Sequence, residues 1–355
     1  MAPVVALDPL ITGVLVLAGA VVLLGLFLVF ERSLLLITGL RTRRRQPALT
    51  RRVYLAVQDP SSGPAEFRRL GRFDRKLVRS ILLGIALDLK GEAGDAIAAL
   101  YRDLGFLRAD LARLKSWRAN KRASAAADLG LIHFPDAVPA LLAALGDRDT
   151  RVRQAAVWAV GQVGGTAALT SLVRLLGDPS HVVAQRVQEV LAERGREVVD
   201  AILAYAENTS SRAGRLAAIE LMGWLRMTTG AYLLQIFMSD MDPEVRVKSV
   251  KAAAAIGDPR FLEAFHKCLT DSSWPVRCQA AKGLSLIGRP DSVVGLSIAL
   301  RDSQWWVRFY AATALGELGP AGAEALTSAL DDPQPAVRDM ARYLLERGDL
   351  VPALP

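Results

Sequence analysis

Val276-Arg277-Cys278-Gln279-Ala280-Ala281-Lys282-Gly283-Leu284 and Val307-Arg308-Phe309-Tyr310-Ala311-Ala312-Thr313-Ala314-Leu315-Gly316 share one pattern, Val-Arg-x-x-Ala-x-x-x-Leu. Stepping toward the N-terminus by the interval that separates them, the same phase recurs at Val245-Arg246, Gly214-Arg215, Val183-Ala184, Val152-Arg153 and Lys121-Arg122. Toward the C-terminus it recurs at Val337-Arg338, one position early. Eight units at a near-fixed period mean a solenoid, in which each unit is one supersecondary element buried against its neighbours.

With the Val as position 0, position 4 holds Ala125, Ala156, Val187, Ala218, Ser249, Ala280, Ala311 and Ala341. Position 8 holds Leu129, Val160, Leu191, Met222, Ala253, Leu284, Leu315 and Leu345, and position 11 is apolar in most units. Spacing of 0, 4, 8 and 11 marks one face of an α-helix, and the small column at position 4 admits a neighbouring helix closely. A second, shorter apolar helix lies between these, as in Val138–Leu145 and Ala323–Leu330. Two helices and two turns fill a unit of this length. Five positions before the Val stands an Asp in most units: Asp147, Asp178, Asp240, Asp271, Asp302 and Asp332. Such an Asp can bond turn backbone, and the Pro that often follows stops the preceding helix.

This pattern, Asp-(x)4-Val-Arg-(x)2-Ala-(x)3-Leu-Gly, resembles the short HEAT repeats named after phycobilisome lyases, over about residues 116–348. The resemblance implies an all-α, right-handed α-solenoid of helix pairs, with the motif helices on the concave side. It also implies an Arg–Asp ladder along the stack, here carried to Arg153, Arg246, Arg277, Arg308 and Arg338. Ala184 breaks the column and should interrupt the ladder in the third unit. A fold of this kind serves many partners, so function has to come from particular residues.

Residues 1–9 carry no Lys or Arg, and Leu10–Phe30 is an uncharged run long enough to span about 30 Å of hydrocarbon. With no basic start and no convincing cleavage site, it reads as an uncleaved anchor. Arg41, Arg43, Arg44, Arg45, Arg51 and Arg52 follow it, so the N-terminus should face out and the repeats should face the cytoplasm. That cluster either meets anionic lipid headgroups or acts only as a topology signal. Gly13, Gly19 and Gly25 form no Gly-x-x-x-Gly pair, so the span does not predict a homodimer.

The expected organisation is an outer tail over 1–9, a span with its interfacial extension over 10–37, a basic juxtamembrane linker over 38–65, an atypical helical cap over 66–115, the repeats over 116–348 and a tail over 349–355.

Charge sharpens the partner question. The chain carries +8, yet Glu31–Arg79 alone holds thirteen Lys/Arg against four Asp/Glu, so the remainder sums to −1. A near-neutral solenoid releases few counterions and makes a poor nucleic-acid binder. Lys248, Lys251 and Lys282 form either a small basic stripe or a solvated face. Two cysteines, Cys268 and Cys278, read as buried thiols in a reducing compartment, with a disulfide as the alternative.

His133, His181 and His266 fall at different repeat positions and have no neighbouring Glu, against the His-Glu pairs that HEAT-like metal hydroxylases require. No phosphate loop and no nucleophile elbow occurs. A bilin-lyase activity has no sharp motif in this fold. No cofactor is implied. The aromatic residues point elsewhere. Trp274 and Trp305 share one position, and Trp306, Phe309 and Tyr310 follow within a turn and a half, off the core columns. They either pack between repeats or form a partner site, where Trp, Tyr and Arg concentrate.

The reading is a non-enzymatic scaffold in a bacterial cytoplasmic membrane, single-pass, binding another protein through the solenoid. A single N-terminal span followed by short HEAT repeats resembles bacterial proteins that occur beside membrane glycosyltransferases making surface polysaccharide, which implies such a synthase as the partner.

Overall fold

The structure is a computed structural model and describes residues 9–58, 67, 69–89 and 91–346. The first eight residues, the 59–65 segment and the C-terminal tail, with Arg347 and Asp349, lie outside the described residues. No strand occurs among the described residues. They form two compact units, residues 1–112 with 131–133, and residues 113–130 with 134–355.

In the first unit, α1 (Pro9–Gln58) is a single helix of 50 residues, about 75 Å long at 1.5 Å per residue. Its best window has a mean hydropathy of 2.3, and by length and composition it can cross a membrane. The linker expected over 38–65 is therefore helical as far as Gln58. The reason is packing: Leu49, Val53 and Ala56, spaced 4 and 3 apart, are buried. They sit where α1 meets α2 (Arg72–Ala86) and α3 (Glu92–Asp103). Helix α4 (Phe106–Leu114) brings Asp110, which is fully buried. Its carboxylate accepts from Arg79 Nη2 at 2.6 Å and from the Tyr101 hydroxyl. Burial, followed by the bond to Asp110, pushes the Tyr101 phenol far above its usual range.

The second unit alternates motif helices with short ones. The motif helices are α5 (Ala119–Leu131), α7 (Thr150–Val163), α9 (His181–Arg194), α11 (Arg212–Trp224), α13 (Pro243–Ile256), α15 (Trp274–Ile287), α17 (Trp305–Glu317) and α19 (Pro335–Glu346). The short ones are α6 (Val138–Ala144), α8 (Thr166–Val173), α10 (Val199–Asn208), α12 (Ala231–Phe237), α14 (Leu262–Cys268), α16 (Val293–Ala299) and α18 (Pro320–Ser328). Consecutive motif helices stack, and each short helix packs on the motif helix that follows it.

The core columns are where the spacing puts them: every residue at position 4 and, through Leu315, every residue at position 8 is fully buried. In the last unit Leu344 is buried in place of Leu345, which is half-exposed.

Position 9 explains the Gly of the motif. A Cβ on Gly223 would stand 2.9 Å from the Ala252 Cα, and one on Gly130 would stand 2.7 Å from the Ala159 Cα. The motif helices approach at these points to backbone distance. Gly257 and Gly288 end α13 and α15 in the left-handed region, at φ 70° and 68°.

Candidate partner-binding surface

The Asp column opens the motif helices. Asp147 Oδ1 accepts the N–H of Asp149 at 2.8 Å, and Asp178, Asp240, Asp271, Asp302 and Asp332 each accept the N–H two residues on in the same way. The same carboxylates make the ladder. Arg153 grips Asp178, Arg246 grips Asp271 and Arg277 grips Asp302, each through Nε and Nη2 at 2.6–2.9 Å.

Arg122 adds an equivalent rung to Asp147, and Arg215 adds a looser one to Asp240 at 3.3 Å. Neither Arg122 nor Arg215 was among the expected rungs, because their units open on Lys and Gly instead of Val. Ala184 leaves the third unit without a rung.

Arg308 and Arg338 depart from expectation. Neither has a carboxylate partner among the described residues; both donate Nη1 to carbonyl oxygens, Arg308 to Asp302 and Ser303, Arg338 to Asp332 and Pro333. Asp332 instead pairs with Arg301, and the Arg308 Nε is buried without a partner. The slip coincides with the one shortened step in the repeat, which brings Asp332 one position nearer to Arg308 than the other rungs set Asp from Arg.

Electrostatics follow the geometry. The Arg122 hydrogen bond holds the Asp147 carboxyl below the usual carboxylate range. For Asp271 and Asp302, burial alone pushes upward. The hydrogen bonds from Arg246 and Arg277 and from the turn N–H groups outweigh it, and both stay below that range. Arg122, Arg246 and Arg277 are thus taken up by the ladder pairs.

The aromatic residues gather on α17. Trp305 stacks on Phe309 at 5.1 Å between centroids and 12° between planes, and Trp306 stacks on Tyr310 at 6.2 Å and 23°. Trp305 meets Trp306 edge-on at 4.8 Å. Phe309 also reaches Tyr343 of α19 at 6.4 Å. Trp305, Trp306 and Tyr343 keep 46%, 49% and 45% of their surface exposed, so the cluster is a surface rather than a core.

Trp274 does not join it. No ring contact links Trp274 to Trp305 among the described residues, and Trp274 is itself exposed. The reason lies four residues on, where α17 offers the Phe309 ring and α15 offers Cys278, which is buried.

Of the three lysines, Lys248 pairs with Glu220, Lys282 places Nζ 3.8 Å from the Tyr310 ring centre, and Lys251 is exposed. Arg41, Arg43, Arg44, Arg45, Arg51 and Arg52 are all exposed around α1, and Arg45 pairs with Asp74 at 2.8 Å. Cys268 and Cys278 are free and buried.

Stacked helix pairs with an Arg–Asp ladder define an α-solenoid of helical repeats. The chain is a HEAT-repeat protein: residues 109–192 and 230–297 match the HEAT repeats family, and residues 307–332 match the PBS lyase HEAT-like repeat. Among solved structures it is similar to Kap121p bound to Pho4p, at 18% identity and a TM-score of 0.53 over 84% of this chain and 39% of that one. It is likewise similar to Kap121p bound to RanGTP, at 18% identity and a TM-score of 0.52 over 79% of this chain and 38% of that one. The chain spans about two fifths of the length of those structures, and at this identity the likeness shows the fold alone. No curated protein matches the chain in sequence.

Proposed function

We propose that the chain is a non-catalytic, membrane-tethered scaffold whose HEAT solenoid holds another protein at the aromatic surface of α17 and α19. The observation that carries this reading is the cluster of exposed Trp305, Trp306 and Tyr343 with half-buried Phe309 and Tyr310, edged by Lys282. Rigid aromatic side chains lose little conformational entropy on binding and dominate interface energetics. The solenoid class supports protein binding in general, since Kap121p has been solved with Pho4p and with RanGTP. Lys248 is already neutralised by Glu220, which breaks the basic stripe and favours a protein partner over a polyanion.

The proposed setting is a bacterial cytoplasmic membrane, with α1 as a single span, the N-terminus outside and the repeats in the cytoplasm. The arginines that follow the apolar run support that orientation, and their exposure supports contact with anionic headgroups. An integral membrane partner, with a polysaccharide-making glycosyltransferase as the specific proposal, rests on the resemblance of the layout.

Purification in detergent from the native host, with identification of what co-purifies, tests the reading. A discrete membrane glycosyltransferase at near-stoichiometric yield is the expected result. Replacing Leu10–Phe30 with an unrelated span of equal length separates anchoring from binding. Partial loss of the partner at unchanged localisation is expected, because a second contact in the membrane raises effective concentration.

A further inference from the structure

Position 6 of the motif helices changes sign along the stack. It reads Glu189, Glu220, Lys251, Lys282 and Thr313 on α9, α11, α13, α15 and α17. Glu220 neutralises Lys248, so of the three lysines only Lys251 and Lys282 keep their charge. Lys251 is exposed and has no carboxylate partner among the described residues. Lys282 lies against the Tyr310 ring at 3.8 Å, and Tyr310 stacks on Trp306 at 6.2 Å. From α17 to α15 to α13 the surface therefore runs aromatic, positive, positive, at one step per stacked helix.

The size of that step selects a ligand. Packed helices stand about 8–10 Å apart. A polyproline II chain advances about 9 Å per turn of three residues, and every third residue falls on one edge. Residues three apart on such a chain thus meet successive helices of the stack. Proline packs on exposed aromatic faces, and the preset conformation leaves little entropy to lose on binding. The charges also set the length of the match. A third acid in the same phase would reach Glu220, so only two are rewarded. Glu317, exposed on α17 two turns beyond Tyr310, disfavours a chain that carries negative charge at every unit.

We propose that the segment of the partner protein held here is a proline-rich, acidic stretch in the polyproline II conformation. A proline packs on Trp306 and Tyr310, and acidic residues three and six positions away meet Lys282 and Lys251. The inference rests on the reading of the α17 cluster as a partner site and adds the chemistry of what the site takes.

The test is fluorescence anisotropy with the full chain in detergent. The probes are fluorescein-labelled Pro-Pro-Pro-Glu-Pro-Pro-Glu and its reversed sequence, since a polyproline II chain can lie in either direction. Saturable binding of one of them below about 1 mM is expected. The same composition with the two acids adjacent should bind about threefold more weakly, because only one acid stays in phase. Lys251→Glu/Lys282→Glu should weaken the in-phase peptide at least about tenfold, since two attractions become repulsions. Trp306→Ala should weaken it by a similar factor. Far-UV circular dichroism checks that both variants keep the helical signal. No saturable binding, equal binding of the in-phase and adjacent-acid peptides, indifference to the charge reversal, or tighter binding of an eight-residue oligothymidylate would overturn the proposal. The scaffold reading is decided separately, by recovery of the partner with Trp306→Ala/Tyr310→Ala. Lower recovery there together with a negative peptide titration would strike the proline-rich acidic ligand and leave the scaffold standing.

Discussion

Lys282 Nζ stands 3.8 Å from the centre of the Tyr310 ring, across the junction of α15 and α17. The same spacing along the chain separates Glu220 from Lys248, which form an ion pair across the junction of α11 and α13. One inter-repeat register thus carries a salt bridge in one place and a cation–π contact in the other. The exchange has a consequence for the surface. A carboxylate cancels the lysine charge, whereas a ring face does not, so the cluster on α17 keeps a positive edge beside exposed aromatic area.

The rungs should differ in their worth to stability. Arg277 and Asp302 keep only 13% and 11% of their side-chain surface, and truncating one partner strands the other. Arg277→Ala should therefore cost about 2–4 kcal/mol. Arg308→Ala loses only carbonyl contacts and should cost about 1 kcal/mol or less. Urea unfolding followed by far-UV circular dichroism checks the order, and equal costs would contradict it. The held-down carboxyls of Asp147, Asp271 and Asp302 add a pH signature. A depressed carboxyl stabilises the fold above its ordinary value, so that contribution should fade as the pH drops below about 4.

Gly223→Ala places a methyl 2.9 Å from the Ala252 Cα, a backbone atom that cannot swing aside. The stacked helices α11 and α13 must separate, and the expected loss is about 1–3 kcal/mol. Gly84→Ala, where nothing lies within 4 Å of the added carbon, serves as the tolerated counterpart in the same melting experiment.

Burial pushes the thiols of Cys268 and Cys278 up to about 11. The thiolate is the reactive form, so both should resist Ellman's reagent at pH 8 in the folded chain and react at once in denaturant. A raised thiol value stabilises the fold below the ordinary value near 9, and that stability should be lost as the pH climbs from about 9 to 11. Rapid labelling of the native chain would show these helices to be open.

Orientation can be read with a cysteine at Glu346, an exposed position at the end of α19. A membrane-impermeant maleimide should leave it unlabelled in intact cells and label it after lysis. Labelling in intact cells would place the repeats outside.

The period, the helix pair and the buried columns were legible in the sequence because a repeat of near-fixed period samples each core position eight times. The rungs at Arg122 and Arg215 were hidden by the lack of Val before them, although their Asp partners were visible at the same spacing as in the other rungs. The helical continuation of α1 through Arg41–Arg52 was obscured by its charge, yet Leu49, Val53 and Ala56 carry a helical spacing that marks a packed face. Trp274 and Trp305 share a repeat position but not a role, because ring contacts depend on the residue four further on. Tyr343 enters the cluster from the next unit, and only the inter-repeat register reveals it.

Recovery of the partner from native membranes by the full chain and by a Trp306→Ala/Tyr310→Ala variant tests the scaffold claim most directly, with far-UV circular dichroism as the check on folding. Both substitutions remove exposed or half-exposed rings and spare the core columns. An unchanged helical signal and about tenfold lower recovery of the same discrete protein are expected with the variant. Equal recovery of that protein by both chains would contradict it.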